Sequence, residues 1–395
     1  MSAVVKTNKY VVIYAGALAL FLLIPIFLMP GTDSSVREWW ERRKLTEAPE
    51  LSEFMVHPKA AFSQFDEFIS DNLGGSFEII QARRKFYYNV LGVTGDKYIV
   101  RDSSGAVFLT STFMAEDRNT PFSWWRRLCE KFQMPDYQAA YVKRLKNSAG
   151  VLGRLGAKVV FTSVPTKAVL IPDRLPISTP EDLVENCRLI SGDDNHIRTM
   201  QASNPGLNLF YPIQDFKERM NDPYFFPDVA YHWSGESSWV FVEAFAKQYG
   251  LRLPEVWPTG PCINQNVKWD IGRLMVISTE TAGCDRSEEV LELVTDERFD
   301  YPLNAGAAKK SVRVAKLTNP HAENDLTAVM FSNSFGPIVR SKFAAQFRTT
   351  YHLNGNRINP ENMQLLLGES EILDADYAVV IVADFHYPRF LARFE

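Results

Sequence analysis

The sequence predicts an α/β fold: a parallel sheet with helices on both faces, preceded by a transmembrane helix and a small helical lead-in. Three observations carry this. Residues 10–29 hold no charged side chain over about the 20 residues needed to cross a bilayer. Short apolar runs at 159–164, 326–331 and 377–382 have strand length, and helical-period segments separate them. Strands that alternate with helices make a parallel sheet covered on both faces.

Taken in order, Lys6 and Lys9 precede the first apolar run with no acid among them, which favours a cytoplasmic N-terminus over residues 1–9. The run is too long for the apolar core of a cleavable signal, and no small-x-small site follows it. It reads as an uncleaved signal anchor, with everything after about residue 31 outside the cytoplasm. Pro58 then opens a helix with Phe62, Phe65, Phe68, Ile69 and Leu73 at three-to-four spacing, closed by Gly74-Gly75. A second helical run covers Phe77 to Leu91. Tyr98–Val100 and Ala106–Leu109 flank Asp102-Ser103-Ser104-Gly105 as a hairpin, and the lead-in ends near residue 115.

The main domain, 116–395, opens with a helical face at Tyr137, Tyr141, Leu145, Ala149 and Leu152, ended by Gly156. The strand Val159–Val164 stops at Pro165. Trp239–Tyr249 is a further helix. Phe343–Phe347 falls in the helix after Ser334, and Tyr377–Val382 is the last buried strand. Residues 251–320 show no clear period and read as an insertion or irregular cap.

Charge is nearly balanced, with 43 basic against 47 acidic residues, so nothing points to a nucleic-acid partner. Aromatics at 13% supply either core volume or a platform for sugar rings; composition does not separate the two. Cysteines stand at 129, 187, 262 and 284. A Cys262–Cys284 bridge would staple one local loop, and free buried thiols are the alternative. No His, Asp and Glu cluster has metal-ligand spacing, so no metal and no cofactor are expected.

The chemistry-bearing residues lie in two segments. Leu326–Phe331 runs into Ser332-Asn333-Ser334-Phe335-Gly336, an apolar strand entering a small-residue turn that carries serine. Such a turn lifts a hydroxyl clear of a sheet and aims backbone N–H groups at a developing oxyanion. A serine needs a base to take its proton, and His232, before Trp233, is the candidate. Ser334 is the candidate nucleophile, with Ser332 as an alternative, and the N–H groups of Ser334 and Gly336 are candidate oxyanion donors. Along extended chain Asp228 would lie about 13 Å from His232. If Pro227 starts a helical turn, the two become i,i+4 neighbours, and Asp228 either orients the imidazole or only caps the turn. Asp384, in the D-x-H that ends at His386, is the competing acid. Lys167, just past the first strand, reads as a site-rim or a solvated lysine, and Trp233 as a weak substrate contact. His57, His196, His321 and His352 read as surface or loop residues.

Several stretches resemble the SGNH-hydrolase-like proteins of the alginate O-acetyltransferase family. Glu41-Arg42-Arg43-Lys44-Leu45 with Pro49-Glu50-Leu51 is similar to the family's juxtamembrane stretch. Asp71-Asn72-Leu73-Gly74 resembles its D-x-F-G helix end. Val164-Pro165-Thr166-Lys167 and Ile171 to Pro176 resemble its P-x-K and Y-P-D-x-L-P block, and Gly272-Arg273-Leu274 its G-D-L segment. Ala230-Tyr231-His232-Trp233 and Ser332-Asn333-Ser334-Phe335 stand where the family shows D-x-H-W and G-[DT]-S-[FY]. The resemblance implies a permuted SGNH domain anchored in the inner membrane and facing the periplasm. It also implies acetyl transfer to an exopolysaccharide, with a membrane-bound O-acyltransferase as the acetyl-donor partner. One departure is serious: Ala230 occupies the position of the family's catalytic aspartate.

Overall fold

The computed structural model describes residue 38 and residues 44–72, 76–111, 122–192, 195–220, 225–233, 235–258, 263–268, 280–285, 289–303, 310–367 and 374–394. The expected membrane segment, 10–29, and Cys262 lie outside these residues. Among the described residues no helix is long and apolar enough to cross a membrane. Backbone contacts divide the described residues into two compact units, one running to Gly95 and the other starting at Asp96.

In the first unit, α1 (Leu51–Val56), α2 (Pro58–Asn72) and α3 (Ser76–Asn89) follow one another. Proline opens α2 at no cost, because a first-turn N–H has no intrahelical acceptor to lose. Phe62 and Phe65 of α2 meet Phe54 of α1 edge-on, at 5.2 and 6.1 Å between ring centroids. The buried Asp71 carboxylate accepts the Thr46 N–H at 2.8 Å, fixing the chain before α1 against the end of α2.

The second unit begins with the expected hairpin, β1 (Ile99–Arg101) and β2 (Val107–Leu109). Asp102 closes its turn by accepting the N–H groups of Ser104 and Ala106. This hairpin belongs to the α/β unit and not to the lead-in. The Val107 N–H donates to the Asp228 carbonyl at 2.8 Å, and the Trp125 indole donates to the Leu109 carbonyl at 3.1 Å.

The main sheet contains β3 (Lys158–Val164), β4 (Leu209–Phe210), β7 (Thr295–Leu303), β8 (Lys310–Thr318), β9 (Asn324–Ser332), β10 (Phe347–Asn354) and β11 (Tyr377–Ala383). Their order is β4-β3-β11-β9-β10-β8-β7, while β5 (Ile263–Lys268) and β6 (Glu280–Asp285) pair separately. From β4 to β10 every pairing is parallel; β8 and β7 add an antiparallel edge. All seven residues of β11 are buried, the continuous apolar run of a strand covered on both faces. The principal helices of this unit are α4 (Pro135–Leu152), α5 (Glu181–Ser191), α6 (Gly235–Tyr249), α7 (Gly336–Ala344) and the short α8 (Tyr387–Leu391).

Two expectations are corrected here. Phe347 does not extend the helix after Ser334: α7 stops at Ala344, and Phe347 begins β10, whose β-branched and aromatic Thr349-Thr350-Tyr351 suits a strand. Part of the supposed insertion, Thr295–Leu303 and Lys310–Thr318, is sheet. Phe299 and Tyr301 oppose Val314 and Val312 across β7 and β8, while Asp296, Arg298 and Asp300 on β7 obscure the apolar period. Two of the cysteines are not free thiols, while the expected Cys262–Cys284 bridge falls on Cys262, outside the described residues. Cys129 and Cys187 are bridged, with Cα atoms 4.7 Å apart, joining the π-helical turn Arg126–Glu130 to α5.

Candidate functional site

Registers across the parallel strands bring three strand ends to one edge. Ser332 lies beside Ile381, and Ala383 beside Val164. The segments that follow β3, β9 and β11 therefore emerge together, outside the carboxyl ends of the strands, where open α/β sheets bind ligands.

After β9 the chain turns tightly. The Asn333 side-chain Oδ1 accepts the Phe335 N–H at 3.0 Å, and the Asn333 carbonyl accepts the Gly336 N–H at 3.2 Å. Ser334 sits half-buried at the apex, between fully buried neighbours. Its hydroxyl lies 2.8 Å from His232 Nε2. His232 comes from a bend between the Pro227–Ala230 turn and α6, and its ring packs on Phe335 at 4.7 Å and Tyr231 at 4.8 Å. The expected pairing of Ser334 with His232 is thus present in the geometry, although the two residues are 102 positions apart in the chain.

Trp233 is not a substrate contact. It is 1% exposed, packs on Phe241 at 5.0 Å, and donates its indole N–H to the Phe335 carbonyl at 3.0 Å. Adjacent residues therefore make two parallel links between the same loops, one polar and open, one buried. The indole of Trp233 needs a partner in the core, and the turn carbonyl supplies it.

Lys167 is neither rim nor solvated. It is buried, and its ammonium donates to the carbonyls of Pro227, Asp228 and Val107 at 2.6, 2.9 and 3.3 Å. Three carbonyl dipoles compensate the buried charge, and the cation fastens the turn leading to His232 onto the start of β2.

Asp228 does not become the i,i+4 partner of His232. Residues 227–230 form a single turn closed by the Ala230 N–H on the Pro227 carbonyl, not a helical turn. The Asp228 side chain is 56% exposed and faces Arg174 at 3.4 Å. Ala230, at the family's aspartate position, is fully buried. Asp384, the competing acid, is buried and accepts the Thr166 N–H at 3.0 Å and the Tyr211 hydroxyl at 3.2 Å. Burial and this carboxylate push the Tyr211 hydroxyl well above its usual pKa.

The Gly336 N–H is occupied by Asn333, so it is not an available oxyanion donor. Glycine is required there by space: an added Cβ would lie 1.8 Å from the Ser332 hydroxyl. Ser332 is fully buried and pairs with His352 at 2.8 Å, behind the turn, which removes it as an alternative nucleophile. His352 and His196 are both buried, against the expectation of surface positions. Burial holds each near a pKa of about 3, with Arg340 adding to the effect at His352.

Sequence reasoning missed the surroundings of the hydroxyl. Ser334 opens into a cleft of about 420 Å³ lined by Trp124, Tyr231, Asn333, His386, Arg389 and Arg393 among others. His386 contacts Asn333, with its Nδ1 3.3 Å from the side-chain amide nitrogen. The signal was the D-x-H after the last strand, and only the strand order reveals that it abuts the serine turn.

No family model matches this sequence, and no curated protein matches it. Solved structures do resemble the chain. Bacillus cereus PatB1 with a sulfonyl adduct is 10% identical, over 73% of this chain and 95% of that one, with a TM-score of 0.49. The O-acetyltransferase domain of Pseudomonas putida AlgJ is 11% identical, over 73% and 92%, with a TM-score of 0.41. A DHHW family protein from Eubacterium siraeum is 11% identical, over 63% and 85%, with a TM-score of 0.41.

Proposed function

We propose that this protein is an SGNH-hydrolase-like O-acetyltransferase that moves an acetyl group through Ser334 to a hydroxyl of an exported polysaccharide. The observation that supports it is the 2.8 Å contact of His232 Nε2 with the Ser334 hydroxyl, at the mouth of the cleft. Ser334 Oγ attacks the carbonyl carbon of an acetyl ester while His232 takes the hydroxyl proton. The oxyanion collapses, the ester C–O bond breaks, and His232 returns the proton to the departing alkoxide. A sugar hydroxyl then gives its proton to His232 and attacks the acetyl-serine; the acyl C–Oγ bond breaks, His232 returns the proton to Ser334 Oγ, and the sugar leaves as its acetyl ester. Hydrolysis differs only in that water replaces the sugar.

The cleft suits a sugar. Half-buried Tyr231 presents an aromatic ring at the cleft, backed by the buried Trp124, and the cations Arg389 and Arg393 favour an acidic residue of the polymer. Export follows from a signal anchor at 10–29 and is supported by the Cys129–Cys187 bridge, which suits an oxidising compartment. A membrane-bound acyltransferase would supply the acetyl ester. The rival, a binding subunit with little turnover, draws on Ala230 in place of an acid. Kinetics with a chromogenic acetyl ester separate the two. The enzyme reading expects saturable turnover that Ser334→Ala abolishes, and acetylated product when an acidic oligosaccharide is added. Equal turnover by parent and Ser334→Ala would refute it.

A further inference from the structure

Single apolar side chains in water are normal on any protein surface, but a concentration of them marks a place where something binds. Among the described residues, eleven of the sixteen large apolar side chains that stay exposed fall between Leu51 and Val93. The other five, Ile177 and Leu189 among them, stand far apart in the sequence of the α/β unit.

The helices of the first unit show how this arises. Leu51 and Met55 stand one turn apart on α1, both 87% exposed, and the Phe54 ring between them leans onto Phe62 and Phe65 of α2. Those two rings are themselves exposed, so packing of α1 on α2 leaves most of their apolar surface in water. On α3, Ile79, Arg83 and Phe86 share one stripe by their spacing, while Glu78 and Lys85 fall on the opposite side. Ile79 and Phe86 are exposed. Arg83, which donates to the Tyr87 hydroxyl at 3.2 Å, carries its charge on a long apolar stem. Residues 51–93 hold four basic and five acidic side chains, so apolar burial rather than charge would drive binding here.

Chain connectivity selects the occupant. Sixteen residues separate Met29, the end of the apolar run, from Thr46, and the Asp71 carboxylate pins Thr46 to the end of α2 at 2.8 Å. Such a tether spans at most about 60 Å. A surface held that close meets the bilayer at an effective concentration of about a millimolar, whereas a second copy meets it only at its own concentration.

We propose that α1, α2 and α3 are a membrane-docking surface, whose apolar stripes sink into the head-group boundary of the bilayer that residues 10–29 cross. This rests on the anchor reading of 10–29 and not on the acyl chemistry at Ser334. An amphipathic helix lying in the interface buries its apolar stripe among the acyl chains and keeps its polar side in water. The Arg83 stem lets its cation rise to the head groups.

The test reconstitutes the full chain in neutral phosphatidylcholine vesicles that hold a carbene-generating photoprobe confined to the acyl chains. After illumination and digestion, the labelled peptides are mapped. Label is expected on 10–29 and on 51–93, and not on the peptides of Ile177 and Leu189, which are exposed apolar controls. The variant Leu51→Glu, Met55→Glu, Ile79→Glu changes only exposed side chains. It should lower label on 51–93 by about ten-fold, with label on 10–29 and the circular dichroism unchanged. Label on 10–29 without label on 51–93 overturns the proposal, as does equal label on the Ile177 and Leu189 peptides. So does a patch that stays unlabelled while a short crosslinker joins two copies through it. Absence of label on 10–29 instead refutes the anchor reading, and with it the tether that docking needs. Should the triple variant not fold, the labelling pattern of the parent decides.

Discussion

Replacing Gly336 by alanine tests the packing behind the serine turn, and the structure sets its size. The glycine is not in the left-handed region, so alanine meets no backbone strain. The obstacle is space: its Cβ would lie 1.8 Å from the Ser332 Oγ, 2.2 Å from the Ser332 Cβ and 3.1 Å from His352 Nε2. Ordinary contact needs about 3.5 Å, so Ser332 must retreat by more than an ångström. It sits at the fully buried end of β9, between β10 and β11, and has nowhere to go. Overpacking of a core costs about 1–3 kcal/mol. Breaking the 2.8 Å Ser332–His352 hydrogen bond adds about 1 kcal/mol. Gly336→Ala should therefore lose about 2–4 kcal/mol in urea unfolding followed by circular dichroism, with the m-value unchanged. Ser332→Gly in the same chain removes both clashing atoms and should recover most of the loss. Alanine keeps the backbone N–H, so a glycine retained only as an oxyanion donor would tolerate the change. A Gly336→Ala protein within 0.5 kcal/mol of parent would refute the packing argument.

Acid should unfold this protein early. His196, His352 and His386 are each held near a pKa of about 3 by burial, against about 6.5 in the unfolded chain. Above pH 6.5 both states are neutral and stability is flat. Between 6.5 and about 3 the unfolded chain takes up protons that the folded one refuses, so stability falls by up to roughly 4 kcal/mol per pH unit. Among the described residues neither ring nitrogen of His196 has a hydrogen-bond partner, so His196→Phe should flatten the slope by about a third in pH-dependent unfolding. Lys167→Met leaves the Pro227, Asp228 and Val107 carbonyls without their cation. It should cost about 2–3 kcal/mol and lower kcat by loosening the His232 loop, read from unfolding and ester kinetics together. The Cys129–Cys187 bridge closes a separation of 58 residues, so Cys129→Ser with Cys187→Ser should lose about 4 kcal/mol; an unchanged urea midpoint would count against the pairing.

How much of this was legible in the sequence follows the range of each signal. The strand at 377–383 was plain, because a strand buried on both faces is apolar throughout, and the Val159-Val160-Phe161 run marked the one at 158–164. The serine turn and the His-Trp pair were readable as local chemistry. Lys167 was not: its three carbonyls come from segments about 60 residues away on either side, so nothing near it marks a buried cation. Trp233 beside His232 looked like a site residue, yet its indole serves the core contact that aligns the two loops. The i,i+4 option for Asp228 depends on a helical turn after Pro227, and the chain instead makes one turn held by Lys167 and Val107. His386 became visible only once the strand order set β11 beside β9. Long-range pairing, in each case, decided what local pattern could not.

The most direct test of the central claim is capture of the acetyl-enzyme. The purified protein is mixed with an activated acetyl ester, quenched in acid and digested, and the peptide carrying residues 332–340 is weighed. The account expects one acetyl group on Ser334 in the parent, none on Ser332, far less in His232→Ala, and discharge on adding an acidic oligosaccharide that itself becomes acetylated. An unmodified Ser334 peptide while ester is consumed, or equal labelling in parent and His232→Ala, would contradict it.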